Sequence, residues 1–136
     1  MTTNSEDSTS VVLNCAIDPA TTASAVRRRL TTALDDLGDD HRYDVLLVVT
    51  ELVSNVLDHA SGVGRLRVRW SPVPCTVFVE VDDTSPLQPV HGRSRLGGAR
   101  GRGIVVVDGL SGRWGTRASA DGGKTVFAAV GCGPPR

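Results

Sequence analysis

The 136-residue sequence lacks any apolar run near the ~18 residues that a membrane-spanning helix requires, which argues against a transmembrane segment. Aromatic residues are scarce, at 4%, and this weighs against recognition of single-stranded nucleic acid by base stacking. Neither sign of charge prevails. Fifteen Lys and Arg balance fifteen Asp and Glu, so there is no global pull toward nucleic acid or an anionic membrane, and any basic patch must be local. Cysteines are few and odd in number: Cys15, Cys75 and Cys132 match no zinc spacing. They are expected to be buried thiols in a reducing compartment. Met1 to Ser10 is polar and lacks the basic start and apolar core of a signal peptide. The expected location is the cytoplasm.

What is present is a 40% apolar composition, enough for one core. A chain of this length buries roughly two thirds of its unfolded surface as a single domain. Residues 1–10 are expected to be a disordered arm, 11–130 the domain and 131–136 a flexible tail. Val11 to Ile17 reads as a strand. Asp18-Pro19 looks like a helix start, with Asp as N-cap and Pro in the first turn. Val26, Leu30, Ala33, Leu34 and Leu37 follow at helical spacing, and Gly38 closes that helix. A second helix, capped by Asp39 or Asp40, runs to about Ala60. Arg65 to Trp70 and Thr76 to Val81 alternate as half-buried strands. Residues 82–102 have the Pro, Gly, Ser and Arg composition of a lid. Gly103 to Leu110 reads equally as a short helix or a buried strand. Trp114 to Ala118 and Lys124 to Val130 flank the hairpin turn Asp121-Gly122-Gly123. The order β-α-α-β-β-lid-α-β-β predicts an α+β two-layer sandwich, with about three helices on one face of a mixed, mostly antiparallel sheet.

Three features carry chemistry. On a helical wheel, Val45, Val49, Leu52, Val53 and Val56 form an apolar arc, and Asp44, Glu51, Asn55 and Asp58 form a polar stripe beside it. Glu51 and Asn55 are four apart and adjacent on the helix surface. A carboxylate there can act as a general base, and an amide oxygen is a hard ligand suited to Mg²⁺. An ordinary solvated face is the competing reading of that pair. Second, Val77, Val79 and Val81 alternate toward Asp82-Asp83-Thr84-Ser85-Pro86. A carboxylate closing a buried strand can accept a hydrogen bond from a ligand amine, such as that of adenine; an Asx turn ahead of Pro86 is the plainer alternative. Third, Gly97 to Gly103 combines glycines with Arg100 and Arg102 ahead of the apolar run from Ile104. Glycines let a backbone approach phosphate, and a helix starting there would aim its N–H groups at the anion. Neither the dinucleotide fingerprint nor a P-loop is matched. The same arginines, with Arg93 and Arg95, would also suit RNA.

The segments E-L-V-S-N (51–55), V-D-D-T-S-P (81–86), G-R-G-I-V-V-V-D (101–108) and G-G-K-T-V (122–126) occur in one order. That order resembles the ATP-binding domain of the GHKL superfamily, and most closely the bacterial anti-sigma-factor serine/threonine kinases and related actinobacterial regulatory proteins. The resemblance spans roughly residues 11–130. It implies a Bergerat-type fold, ATP and Mg²⁺ as cofactors, Asn55 as the metal ligand and Glu51 as general base. It implies Asp83 as acceptor of the adenine amine, with Ser85 and Pro86 beside it. Gly98, Arg100, Gly101, Arg102, Gly103 and Ile104 would surround the phosphates. Thr125 would support the adenine-binding Asp, and Asp58 and His59 would border the site. The implied partners are a sigma factor and a STAS-type antagonist protein, with homodimerisation possible and no membrane or direct nucleic-acid contact. Ser85 and Leu87 stand where the family has glycines. An ATP-gated binding module without catalysis is the alternative, and an RNA-binding domain a more distant one.

Overall fold

The computed structural model describes residues 10–59, 63–83, 111–118 and 122–132. Five strands, β1 (Ser10–Ile17), β2 (Gly64–Pro72), β3 (Cys75–Asp83), β4 (Arg113–Ala118) and β5 (Lys124–Gly131), form one sheet in the order β1-β2-β3-β5-β4. All four pairings are antiparallel. Helices α1 (Ala23–Ala33) and α2 (Asp39–His59) accompany the sheet. The two-layer α+β expectation therefore holds. The anticipated third helix, at 103–110, lies outside the described residues, as do residues 84–102.

Alternation in the strands decides which side chains enter the core. Val77, Val79 and Val81 of β3 and Leu66 and Val68 of β2 are fully buried, and their sequence neighbours are half-buried or, at Arg65, exposed. On α2, Val45, Val48, Val49, Leu52, Val53 and Val56 are at most 2% exposed, so the apolar arc read from the wheel is the packed face. Each such side chain contributes about 1.5–3 kcal/mol on burial. α1 adds Val26 and Leu30 to the same cluster, followed by Leu34 and Leu37.

The start of α1 differs from expectation. Asp18-Pro19 forms a separate turn. The Asp18 amide donates to Thr21 Oγ1 at 2.9 Å, and Asp18 Oδ1 accepts from the Ala20 amide at 2.8 Å. With its side chain used locally, Asp18 does not cap the helix. Thr22 does, its hydroxyl accepting from the Ala25 amide at 3.1 Å. Gly38 also changes role: its carbonyl accepts from the Arg42 amide at 2.9 Å, which makes it the entry to α2. Asp39 and Asp40 lie in the first turn, where negative charge complements the helix dipole.

The cysteines need a second correction. Cys75 and Cys132 are joined by a disulfide with Cα atoms 5.5 Å apart, and Cys15 is free. Antiparallel pairing of β3 with β5 sets Thr76 opposite Gly131, and the Cys132 amide donates to the Cys75 carbonyl at 3.1 Å. Strand register brings the pair together, which sequence spacing does not show. No helix among the described residues is long and apolar enough to cross a membrane.

Candidate functional site

β3 ends in two adjacent carboxylates, and the pleat sends them to opposite faces of the sheet. Asp83 continues the Val77, Val79, Val81 series and is 6% exposed, so it faces the helix layer. Register places Lys124 directly across on β5, and its Nζ lies 3.1 Å from Asp83 Oδ2. Both side chains are almost wholly buried, which makes this a desolvated ion pair. Lys124 follows the alternation of Val126, Ala128 and Val130; reading that alternation back by two residues would have exposed it as the partner of Asp83.

Gly64 fixes the surroundings of this corner. It opens β2, pairs with Asp83, and has no room for a side chain. A Cβ there would collide with the Asp82 carbonyl oxygen and lie 3.5 Å from Val56 Cγ1. The last third of α2 therefore passes over the junction of β2 and β3. Val56 is buried in that crossing, while Glu51 and Asn55, on the polar side of the same helix, are half-buried. Oxygen donors of this kind, one carboxylate and one amide, fit Mg²⁺. A carboxylate has about four lone-pair positions and can serve Lys124 and a ligand amine together.

Asp82 belongs to the outer face and to a different network. Arg67 grips it with both terminal guanidinium nitrogens, at 2.7 and 3.0 Å, and Thr125 Oγ1 donates to it at 2.7 Å. Glu80, next on that face, accepts from Arg67 at 3.2 Å and from Arg117 at 2.7 Å. Thr125 was expected to support Asp83; register sets it across from Asp82 instead, on the face away from the helices. Hydrogen bonds from Arg67 hold the Asp82 carboxyl below the usual carboxylate range, against partial burial. Burial pushes Glu80 up, but hydrogen bonds from Arg117 and Arg67 outweigh it and hold Glu80 low as well.

A pH dependence follows. Carboxylates with depressed folded-state pKa values contribute stability above their unfolded values, roughly 4, and that contribution fades as pH falls through the folded values. Arg67→Leu should remove part of this acid sensitivity. The gap between the unfolding free energies from urea titration near pH 6 and near pH 3 should narrow, by about 1 kcal/mol or less because the network is partly solvated. An unchanged gap would show that the arginine does not set the carboxyl pKa values.

A groove of about 430 Å³ also lies on the outer face, lined in part by Arg69, Phe78, Glu80, Arg117 and Phe127. Arg69 and Arg117 stack over Phe78 and Phe127, at 5.9 and 5.4 Å from the ring centres. None of the candidate nucleotide residues lines it. Ser85, Pro86, Gly98, Arg100, Gly101, Arg102, Gly103 and Ile104 lie outside the described residues, as do the side chains of Asp58 and His59.

The sequence matches the family model of the histidine kinase-like ATPase domain over residues 15–129. The chain belongs to this family. The match runs from within β1 to within β5 and so takes in α2, the Asp83 corner and the Lys124 strand. A histidine kinase-like ATPase domain of GHKL type binds ATP, and β3 ends in a buried carboxylate on the helix side of the sheet. No curated protein matched the chain.

Proposed function

We propose that this histidine kinase-like ATPase domain is a cytoplasmic partner-switching regulator: a protein serine/threonine kinase that transfers the γ-phosphoryl group of Mg-ATP to an antagonist of an anti-sigma factor. The observation that carries the nucleotide part is the placement of Asp83, a buried carboxylate turned toward the helix layer beside α2. Asp83 would accept from the adenine amine, and Asn55 would hold Mg²⁺. The metal would neutralise charge on the phosphate oxygens. Glu51, one turn before Asn55, would take the proton of the attacking Ser or Thr hydroxyl as the new O–P bond forms and ADP leaves. Phosphoryl transfer is largely positioning and charge neutralisation, so these few groups suffice. Sigma factor and STAS-type antagonist are the proposed partners.

The test is calorimetric titration with ATP, with and without Mg²⁺, followed by transfer of labelled phosphate to a candidate antagonist. Wild type should bind ATP more tightly with the metal. Asn55→Ala should bind equally with and without it. Metal-independent binding by wild type would remove Asn55 from the proposed role. ATP binding with no transfer would favour a nucleotide-gated binding module, a reading that Ser85 and Leu87 support because they replace the glycines expected over the adenine.

A further inference from the structure

At the far end of α2 a second constellation brings together His41, Cys75 and Cys132. We propose that His41 and the reduced forms of Cys75 and Cys132 bind one soft divalent metal ion of the zinc class. The three come from the first turn of α2, the start of β3 and the residue just past β5. Their ligand atoms lie within 4.8 Å of one another.

The histidine is set up for this task. Its Nε2 lies 2.8 Å from the Val130 carbonyl oxygen, an acceptor that requires the proton on Nε2. The Nδ1 lone pair is then directed at the two sulfurs, 3.2 Å from Cys132 Sγ and 4.0 Å from Cys75 Sγ. A backbone carbonyl behind a ligating imidazole is the usual device for fixing its tautomer and ring orientation. In a tetrahedral site with Zn–S of about 2.3 Å and Zn–N of about 2.0 Å, nitrogen and sulfur sit roughly 3.5 Å apart. The two observed distances bracket that value. His41 is buried, Cys75 half-buried and Cys132 exposed, so the site has a rigid floor and an open side for entry.

The chemistry balances simply. A phosphine reductant and one water cleave the disulfide; phosphorus takes the oxygen, and each sulfur gains a proton. Binding of M²⁺ then releases both protons, and two thiolates neutralise the ion. The sulfurs must separate to about 3.8 Å in a tetrahedral site, which Cys132, exposed and beyond the last strand, can accommodate. With His41 as third ligand, a fourth position remains for water or an external donor. The site stands about 15 Å along α2 from Glu51 and about 21 Å from Asn55, at 1.5 Å per residue, and is independent of the nucleotide reading.

The experiment is titration of the full, phosphine-reduced chain with Co²⁺, followed by displacement with Zn²⁺. A sulfur-to-cobalt charge-transfer band should saturate at one equivalent and bleach when Zn²⁺ is added. His41→Gln and Cys132→Ser should each weaken binding by more than about tenfold, the loss that follows from disturbing even an outer-shell partner. Cys15→Ser should bind as wild type does. Zn²⁺ should also protect Cys75 and Cys132, but not Cys15, from alkylation read by mass spectrometry, a measurement that needs no variant. No band and no protection in the reduced, folded protein would overturn the proposal. So would a band that survives unchanged in both ligand variants.

Discussion

Glu51→Ala should lower phosphoryl transfer by about 10²- to 10⁴-fold, the range expected for loss of a positioned general base, while ATP affinity changes by a few-fold at most. The split follows from where Glu51 stands. It is half-buried on the polar stripe of α2, and the helix is held by Val45, Val49, Leu52, Val53 and Val56 on the adjoining apolar arc. Truncating Glu51 leaves that packing untouched, so the fold and the Asp83 corner should persist. Labelled-phosphate transfer measured beside calorimetric ATP binding separates the two effects. Equal transfer by variant and wild type would eliminate Glu51 as the base. A parallel collapse of ATP binding would reassign it to holding the nucleotide.

Asp83→Asn has two consequences that must be separated. An amide can turn a donor toward the adenine amine, and loss of a hydrogen bond to a charged group costs about 1.5–3 kcal/mol. ATP affinity should therefore fall roughly ten- to hundredfold. The same change removes the carboxylate facing buried Lys124, and breaking a buried ion pair costs about 3–5 kcal/mol, so the ligand-free protein should also melt earlier. Lys124→Met provides the control. It breaks the same ion pair but keeps the carboxylate, and so should lower the melting temperature with a smaller loss of ATP affinity. If both variants lost ATP equally, with binding measured well below their melting points, Asp83 would be a structural residue and the adenine contact would lie elsewhere.

Much of the framework was legible because strands advertise themselves by alternation. Val77, Val79 and Val81 announced the buried face of β3, and the same period assigns Asp83 to that face and Asp82 to the other. The apolar arc of α2 was equally plain. What escaped the sequence was tertiary or competitive in origin. Lys124 reads as a hairpin residue until register sets it opposite Asp83. Thr125 was tied to Asp83 by resemblance, but the pleat gives it to Asp82. Asp18 and Thr22 are both good caps, and only the capture of Asp18 by its own turn decides between them. His41, Cys75 and Cys132 are separated by dozens of residues and meet because a helix start and two strand ends share one end of the sandwich.

The sheet order has a further meaning for ligand capture. β3 lies between β2 and β5, with partners on both sides along its length. Its final carboxylate is thus mounted on an interior strand, while fraying is left to β1 and β4 at the margins. A group mounted this way is already oriented before a ligand arrives, and little conformational entropy is surrendered there on association. Whatever must become ordered when nucleotide enters, the acceptor proposed at residue 83 would not be part of it.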